Sequence, residues 1–388
     1  MSASIVVCGS GIVGLSTALA FARKGEPVTL VGPRPAAPSL AQDEFYPRVY
    51  ALSPASQRFL ASIGVWDLMD PRRLTSVQAM EIHGDGNGLL NLNAWQTAQS
   101  ELAWIVESSE IERVLVQAAQ VMGLHWVTEK FASYTPGTLT TERGTTLAAE
   151  LFIAADGAQS PLRAAAGLTV DSRPYGATAL VAHLDCSLPH QGTALQWFGA
   201  DGVLALLPMP DTTNGPQVSM VWSLKEDIAQ SLQAMSAQER ASTLQARLAA
   251  ATAGRLGALT LRGAVHSFPL SLDQSPLIGD RVALAGDAAH RVHPLAGQGL
   301  NLGLGDVQAL VDTVTSRESF RSPGDPMVLR RYRRLRAEPV LAMRLVTDGL
   351  ARLFDIQHAP VVWLRNMGMN LAEKLPFIKR QLISGASR

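Results

Sequence analysis

Two glycine-bearing runs in this 388-residue chain carry the residue types that grip anions or flat ligands, and they lie far apart. Near the start, "VVCGSGIVG" sets Gly9-x-Gly11-x-x-Gly14 between an apolar strand pattern, Ile5 to Cys8, and a helical pattern with Leu15, Leu19 and Ala22 on one face. In that context the spacing is a dinucleotide fingerprint. The first glycine turns tightly, the second lets backbone approach a pyrophosphate, the third allows close helix–strand packing, and the helix N-terminus faces the anion. The second run, "GDAAHRVHPLAGQGLNLGLGD" at 286–306, holds Asp287, His290 and His293 with Gly297 and Gly299. It could hold a phosphate, a metal or something larger. A metal needs three or four correctly aimed ligands, and an H-x-x-H pair is a thin signal for one. No metal is expected.

The elements around these runs say where they sit. The strand pattern "RVALA" precedes Gly286, which puts Asp287 at the carboxyl end of a sheet, where open α/β folds bind ligands. After Pro294 to Asn301 comes a helix on which Leu300, Leu304, Val307, Val311 and Val314 recur at four- and three-residue steps. Val28 to Val31 reads as a second parallel strand and "SPASQRFLASIGVW" as a helix. "QAMEIHGDGNGLLNLN" reads as a hairpin around Gly84-Asp85-Gly86, and 109–122 as a helix leading to "LFIAADGAQSPLR". In the middle, "ALVAHLDCSL" alternates with Leu180, Ala182, Leu184 and Cys186 on one face. "VSMVWSL" does so with Val218, Met220 and Trp222, and "LQWFGADGVLALLPMP" turns through Asp201-Gly202.

Composition bounds the function class. The chain is 47% hydrophobic and 17% charged, with 33 Lys and Arg against 33 Asp and Glu, a core-rich balance that favours neither nucleic acid nor an acidic partner. Cys8 and Cys186 are too few for a disulfide framework and fit a reducing cytoplasm. Residues 2–22 are uncharged and could pass for a signal or a span. No Lys or Arg precedes them, however, and Gly9, Gly11 and Gly14 interrupt them, so a soluble chain is expected.

"LFIAADGAQSPLR" and "RVALAGDAAHRVHPLAGQGLNLGLGDVQAL" resemble the DG and GD motifs of class A FAD-dependent aromatic monooxygenases with the para-hydroxybenzoate hydroxylase fold. "RVYALSPASQRFLASIGVW", "ELAWIVESSEIERVL", "LALLPMP", "VSMVWSL" and "YRRLRAEPVLAMRLVTDGLARLF" resemble, more narrowly, the ubiquinone-biosynthesis hydroxylase family, in family order over most of the chain. The resemblance implies an α/β fold, α+β overall: a Rossmann-like FAD-binding domain of 1–75, 97–172 and 266–330, an inserted mainly antiparallel β-sheet substrate domain of 76–96 and 173–265, and C-terminal helices over 331–388.

It implies, too, that Gly9, Gly11 and Gly14 hold the pyrophosphate and that Arg48 and Arg113 reach the flavin or pyrophosphate region. Asp156 and Gly157 would support the cofactor, Asp287 would accept from the ribityl chain, and Gly297, Gly299, Leu300 and Asn301 would present backbone N–H groups to the ring. The chemistry would be flavin-borne: NAD(P)H or another donor reduces FAD, O2 adds, and a flavin hydroperoxide hydroxylates a polyprenylated phenol or quinol. No catalytic side chain is assigned; Pro294 and His293 are candidates near the flavin. An oxidase or reductase of the same fold, or a cofactor-poor scaffold or assembly protein, are the rival readings. The absence of W-x-W-x-I-P weighs against a tryptophan halogenase.

Two positions depart from the pattern. Gly32 stands where an acidic residue would hold the adenosine ribose, and Gly176 where glutamine is usual. The run "RRYRRLR" reads as a solvated basic face with Val328, Tyr332 and Leu335 buried. The stretch "VVWLRNMGMNLAEKLPFIKR" joins Trp363, Leu364, Met367, Leu371 and Phe377 to Lys374, Lys379 and Arg380. It reads as packing against the flavin domain or a homodimer or complex partner, ahead of a peripheral membrane contact at the inner face. Met209 and Trp197 are candidates for the substrate pocket or for core.

Overall fold

A computed structural model describes residues 4–36, 43–292, 297–356 and 358–386. Its nucleotide-binding layer is a six-stranded sheet ordered Ile278–Gly279, Val282–Leu284, Leu151–Ala154, Ile5–Cys8, Val28–Val31, His125–Val127. All neighbours are parallel except the first pair. The central strands are buried along their whole length, which is why they read as unbroken apolar runs without alternation. Helices Ile12–Arg23, Ser108–Val121 and Gly299–Thr315 pack on this layer. Leu15, Leu19, Leu300, Leu304, Val307, Val311 and Val314 join one core there.

The second layer is an eight-stranded sheet ordered His290–Arg291, Leu259–Gln274, Asp171–Cys186, Gln217–Lys225, Gly202–Pro208, Thr193–Gly199, Ala79–His83, Leu89–Asn93. Its single parallel pair is Thr193–Gly199 with Ala79–His83. Both expected hairpins form, at 84–88 and at Asp201. Leu180, Ala182, Leu184 and Cys186 share a core with Val218, Met220 and Trp222, as alternation requires. The two 16-residue strands Asp171–Cys186 and Leu259–Gln274 pair from end to end, so divisions at 172/173 and 265/266 fall inside strands. Gly176 sits at φ +64° where their register shifts, between Pro174 and Thr178. A bulged residue at positive φ is favoured as glycine, which accounts for its departure from glutamine.

A small sheet of Val49–Leu52, Ala103–Glu107 and Leu74–Val77 lies between the layers, its Ala51, Val77 and Ile105 clustering with Ala194, Leu207 and Met209 of the large sheet. Met209 is thus inter-layer core. Trp197 faces the other way, stacked on His83 with ring centroids 5.2 Å apart.

C-terminal helices Pro326–Asp355, Ala359–Lys374 and Pro376–Ala386 follow. One expectation fails here, and the flavin-domain half of another. At "RRYRRLR", Tyr332 and the preceding Val328 are buried but Leu335 is 58% exposed, and Arg336 is buried instead. Four residues after Tyr332, Arg336 falls on the inward stripe that Leu335 misses. The apolar residues Trp363, Leu364, Met367, Leu371 and Phe377 do not pack against the flavin domain and are exposed. No helix among the described residues is long and apolar enough to cross a membrane.

Candidate functional site

The two glycine runs can converge because Gly286 and Gly303 carry no side chain where they meet Val13 and each other. A Cβ on Gly286 would lie 3.0 Å from the Val13 side chain, and one on Gly303 would lie 3.1 Å from Gly286 Cα. Helix Ile12–Arg23, the Gly286 turn and helix Gly299–Thr315 therefore nest directly. Within the finger, a Cβ on Gly14 would meet Gly9 O at 1.8 Å, and Gly9, at φ +111°, would meet Ala155 O at 2.2 Å. Gly11 is different: a Cβ there meets nothing within 4 Å. Gly11 is also the N-cap, with no side chain bonding the first-turn N–H groups. The space in front of it is an open cradle at the positive end of a helix.

Two carboxylates flank that cradle. Asp156 lies directly behind Gly9, whose Cβ would reach its Cα at 2.7 Å. Its Oδ2 accepts from Leu162 N at 3.1 Å, while its Oδ1 is buried without a partner. Burial pushes its pKa up, against the Ser160 hydroxyl and the Leu162 N–H. Gly157, at φ +88°, faces open space. Asp287 follows Gly286 in a one-turn 3-10 helix, half-buried, and accepts no hydrogen bond among the described residues. Arg163 ties the two motifs together, donating to Ala158 O and Ala288 O, both at 2.8 Å.

The Gly286 turn is braced from behind by a buried ionic cluster. Asp306 accepts from Gly286 N at 3.0 Å and from Arg336 Nε at 2.6 Å, and lies 2.7 Å from His290 Nε2. Burial alone would raise the Asp306 pKa, but His290, Arg336 and the Gly286 N–H outweigh it and hold it below the usual carboxylate range. His290 is accordingly framework. His293 and Pro294 lie outside the described residues, and among those described no group of three or more His, Cys, Asp and Glu could hold a metal.

Arg48 lies over the Tyr50 ring, 5.2 Å from its centroid. Burial lifts the Tyr50 pKa to about 12, Arg48 opposing and Asp287 and Glu112 adding to the rise, so Arg48, Tyr50, Glu112 and Asp287 form one electrostatic neighbourhood. Arg113 turns elsewhere, to Glu110 and to the Leu68 carbonyl at 3.0 Å. Helix Ser108–Val121 thus offers Glu112, not Arg113, to Arg48; burial raises the Glu112 pKa and Arg48 lowers it. Arg113 does line a cleft of about 330 Å³ with Glu112, Pro35 and Ala36, just past the end of strand Val28–Val31.

Gly32 stands at that strand end with φ +147°, and a Cβ there would lie 2.8 Å from Ser10 Oγ. Ser10, the finger's own variable residue, donates its hydroxyl to Pro33 O and fills the place a longer side chain would need. Trp126 Nε1 meanwhile donates to Gly32 O at 2.8 Å. Of the carboxylates lining the cleft, Glu110 is spent on Arg113 and on Asp70 N, whereas Glu112 makes no hydrogen bond among the described residues.

The ring-side segment is held open by Asn301. Its Oδ1 accepts from Ser53 N at 3.0 Å and Ser56 Oγ at 2.8 Å, and its Nδ2 donates to Ala51 O at 2.8 Å. The side chain is therefore a staple to strand Val49–Leu52, and only backbone is left to face a ligand. Gly297, at φ +65°, would put a Cβ 3.4 Å from Ala51 N, while Gly299 faces open space and Leu300 is buried. Beyond Ala51 lies the inner face of the large sheet. Val181, Val221, Ala205, Gln196 and Ile82 follow one another across five strands there, and Val181, Val221 and Ala205 are only half-buried. His183 and Ser219, cross-strand partners on the same face, bury an unpartnered Nδ1 and Oγ.

An uncapped helix end beside unpartnered carboxylate oxygens suits a group carrying both a pyrophosphate and hydroxyl donors, so the residues fit a flavin dinucleotide. The FAD binding domain family matches residues 2–343. Among curated relatives, the ubiquinone hydroxylase UbiL of Rhodospirillum rubrum is 32% identical, covering 97% of this chain and 88% of that protein. The 3-demethoxyubiquinol 3-hydroxylase of Escherichia coli is 30% identical over 98% and 97%. Among solved structures, the p-nitrophenol 4-monooxygenase PnpA of Pseudomonas putida superposes with TM-score 0.78 at 19% identity, over 100% of this chain and 98% of that one.

Proposed function

The chain belongs to the FAD-binding monooxygenases, among the ubiquinone-biosynthesis hydroxylases, and from that premise we propose that it hydroxylates the aromatic ring of a polyprenylated phenol or quinol intermediate. The observation that carries this reading is the meeting of three features at one place: the open Gly11 cradle, the orphaned Asp156 Oδ1 and the Asp287 carboxylate, which accepts no hydrogen bond among the described residues. Gly9, Gly11 and Gly14 with the helix N-terminus would take the pyrophosphate, Asp287 the ribityl hydroxyls, and the backbone of Gly297–Asn301 the flat ring. Glu112, which lines the same cleft as Pro35, would take the ribose role that position 32 lacks.

When bound, FAD supplies the oxidative chemistry, with NAD(P)H or another donor giving the electrons and O2 the oxygen atom. The chain's own part is to hold the substrate ring and keep water out. The half-buried Val181–Val221–Ala205 strip suits an apolar ligand, and the orphaned His183 Nδ1 and Ser219 Oγ suit a ring oxygen.

The test is a visible spectrum followed by turnover. Purified protein is expected to be yellow, or to become so with added FAD, and to couple NAD(P)H oxidation to hydroxylated product. A protein that stays colourless sinks the flavoenzyme reading; hydrogen peroxide as the sole product makes it an oxidase. Mass spectrometry of quinone precursors accumulating in a deletion strain identifies the ring position.

A further inference from the structure

Helix Ala359–Lys374 is amphipathic with its faces reversed. Its polar side is the side that packs. Arg365 and Asn366 are only 6% and 4% exposed. Arg365 pairs with Asp85 in the hairpin loop, and Asn366 accepts from Gly88 N at 2.9 Å and donates to Asp85 at 3.0 Å. The loop admits Asn366 because its glycines lack side chains: a Cβ on Gly84 or Gly88 would sit 2.3 or 2.4 Å from Asn366 Oδ1. Along the edge strand, Asn370 and Glu373 accept from Leu89 N and Asn91 N at 3.1 and 2.7 Å. The helix thus covers the sheet edge with hydrogen-bonding side chains, which fixes its rotation.

The opposite stripe is apolar and faces outward. Trp363, Leu364, Met367 and Leu371 are 65%, 58%, 44% and 55% exposed, at spacings that place them on one side of the helix. In the next helix Phe377 is 73% exposed, with Arg380 exposed one turn on. A stripe of this kind marks an interaction surface. Charge says what kind. Residues 326–388 hold twelve of the chain's 33 Lys and Arg but four of its 33 Asp and Glu. Arg336, Arg365 and Lys379 are buried in ion pairs with Asp306, Asp85 and Glu373, and the exposed charges that remain beside the stripe, Lys374 and Arg380, are both positive. A second copy would bring the same positive charge face to face. An anionic surface would not, and exposed Trp beside Leu, Phe, Lys and Arg is the composition of a helix lying in a membrane interface.

We propose that the outward stripe of Ala359–Lys374, with Phe377 and Arg380, docks the protein on a bilayer surface containing anionic lipid. It leaves the polar side latched to the hairpin of the large sheet, so docking needs no rearrangement of that helix. The proposal does not depend on the substrate, because binding is read without turnover.

The test uses the full chain with FAD, co-sedimented with phosphatidylcholine vesicles with and without phosphatidylglycerol. Binding is expected only with phosphatidylglycerol, and it should weaken as NaCl rises. Trp363→Ser with Leu371→Ser, and separately Lys374→Glu with Arg380→Glu, should each reduce it about tenfold or more. All four side chains are exposed, so circular dichroism and flavin content should be unchanged in both variants. Equal binding to both vesicle types, no binding by the folded parent, or binding indifferent to the substitutions overturns the proposal. So does a concentration-dependent dimer that Trp363→Ser with Leu371→Ser abolishes, which would assign the stripe to a second copy.

Discussion

Arg336→Met tests whether the basic run in the long helix is a solvated face or contains a structural ion. Arg336 donates to Asp306 at 2.6 Å and to Leu302 O at 2.9 Å, and Asp306 is wholly buried. Methionine keeps most of the volume and removes both bonds. Leaving a buried carboxylate short of its cation costs about 3–5 kcal/mol. His290, 2.7 Å away, remains as a partner, so the lower end, about 3 kcal/mol, is the working figure. The neighbouring Arg334 is exposed, and Arg334→Met should stay within about 0.5 kcal/mol of the parent.

Urea unfolding followed by circular dichroism reads both variants, with flavin content measured in parallel because Asp306 also holds Gly286 N. Adding Asp306→Asn to Arg336→Met removes the stranded charge while keeping an acceptor for Gly286, so the pair should lose less than the sum of the singles. The pH dependence has a definite sign. Asp306 has a depressed folded pKa, so its contribution is present above the unfolded carboxylate value and is lost as pH falls through the folded one. Without Arg336 that loss should move to higher pH. Equal stability losses in Arg336→Met and Arg334→Met would refute the buried-ion account.

Asp287→Ala should weaken FAD binding by about 10- to 100-fold, the value of charge-assisted hydrogen bonds, with circular dichroism unchanged; unaltered flavin stoichiometry would count against the ribityl assignment. Gly11→Val should fold normally, since nothing lies within 4 Å of its Cβ position, yet lose flavin; a yellow, stoichiometrically loaded variant would show that the cradle is not the pyrophosphate site. Gly32→Glu should cost about 1–3 kcal/mol through its φ of +147° together with overlap with Ser10, and Ser10→Gly should restore the steric part; a Ser10→Gly background that restores nothing would dismiss the steric reading.

What the sequence made legible was whatever repeats with a period. The apolar strands around Gly9 to Gly14, the helical stripe from Leu300 to Val314 and the alternation at Leu180 to Cys186 all follow from side-chain geometry along one element. What it hid were choices between adjacent positions and pairings across long separations. Glu112 and Arg113 differ by 100° around a helix, and only the location of Arg48 and Glu110 decides which stands beside Arg48 and which pairs with Glu110. Arg336 could have been foreseen, because a four-residue step from Val328 through Tyr332 reaches it, but five arginines in seven residues read first as solvent-facing. The reversed helix could not, since its polar side is satisfied by Asp85, Gly88, Leu89 and Asn91 of a hairpin nearly three hundred residues away.

Gly32 shows most clearly how a local rule yields to a contact. Read alone, it is a missing carboxylate and an argument for weak cofactor binding. In the structure, the finger carries Ser10 between its first two glycines, the Ser10 hydroxyl reaches Pro33 O, and a Cβ at 32 would sit 2.8 Å from Ser10 Oγ at a φ, +147°, that already favours glycine. Serine in the finger and glycine at the strand end are therefore one coupled choice. In the proposed site the missing carboxylate's role falls to Glu112, which lines the same cleft half-buried and without a hydrogen bond among the described residues. If the coupling is real, Glu112→Gln should weaken FAD binding in this chain and should do so less in the Ser10→Gly, Gly32→Glu background, where an acceptor has been restored at the strand end. Flavin titration of the four proteins measures that difference, and equal losses in both backgrounds would break the link between the two sites.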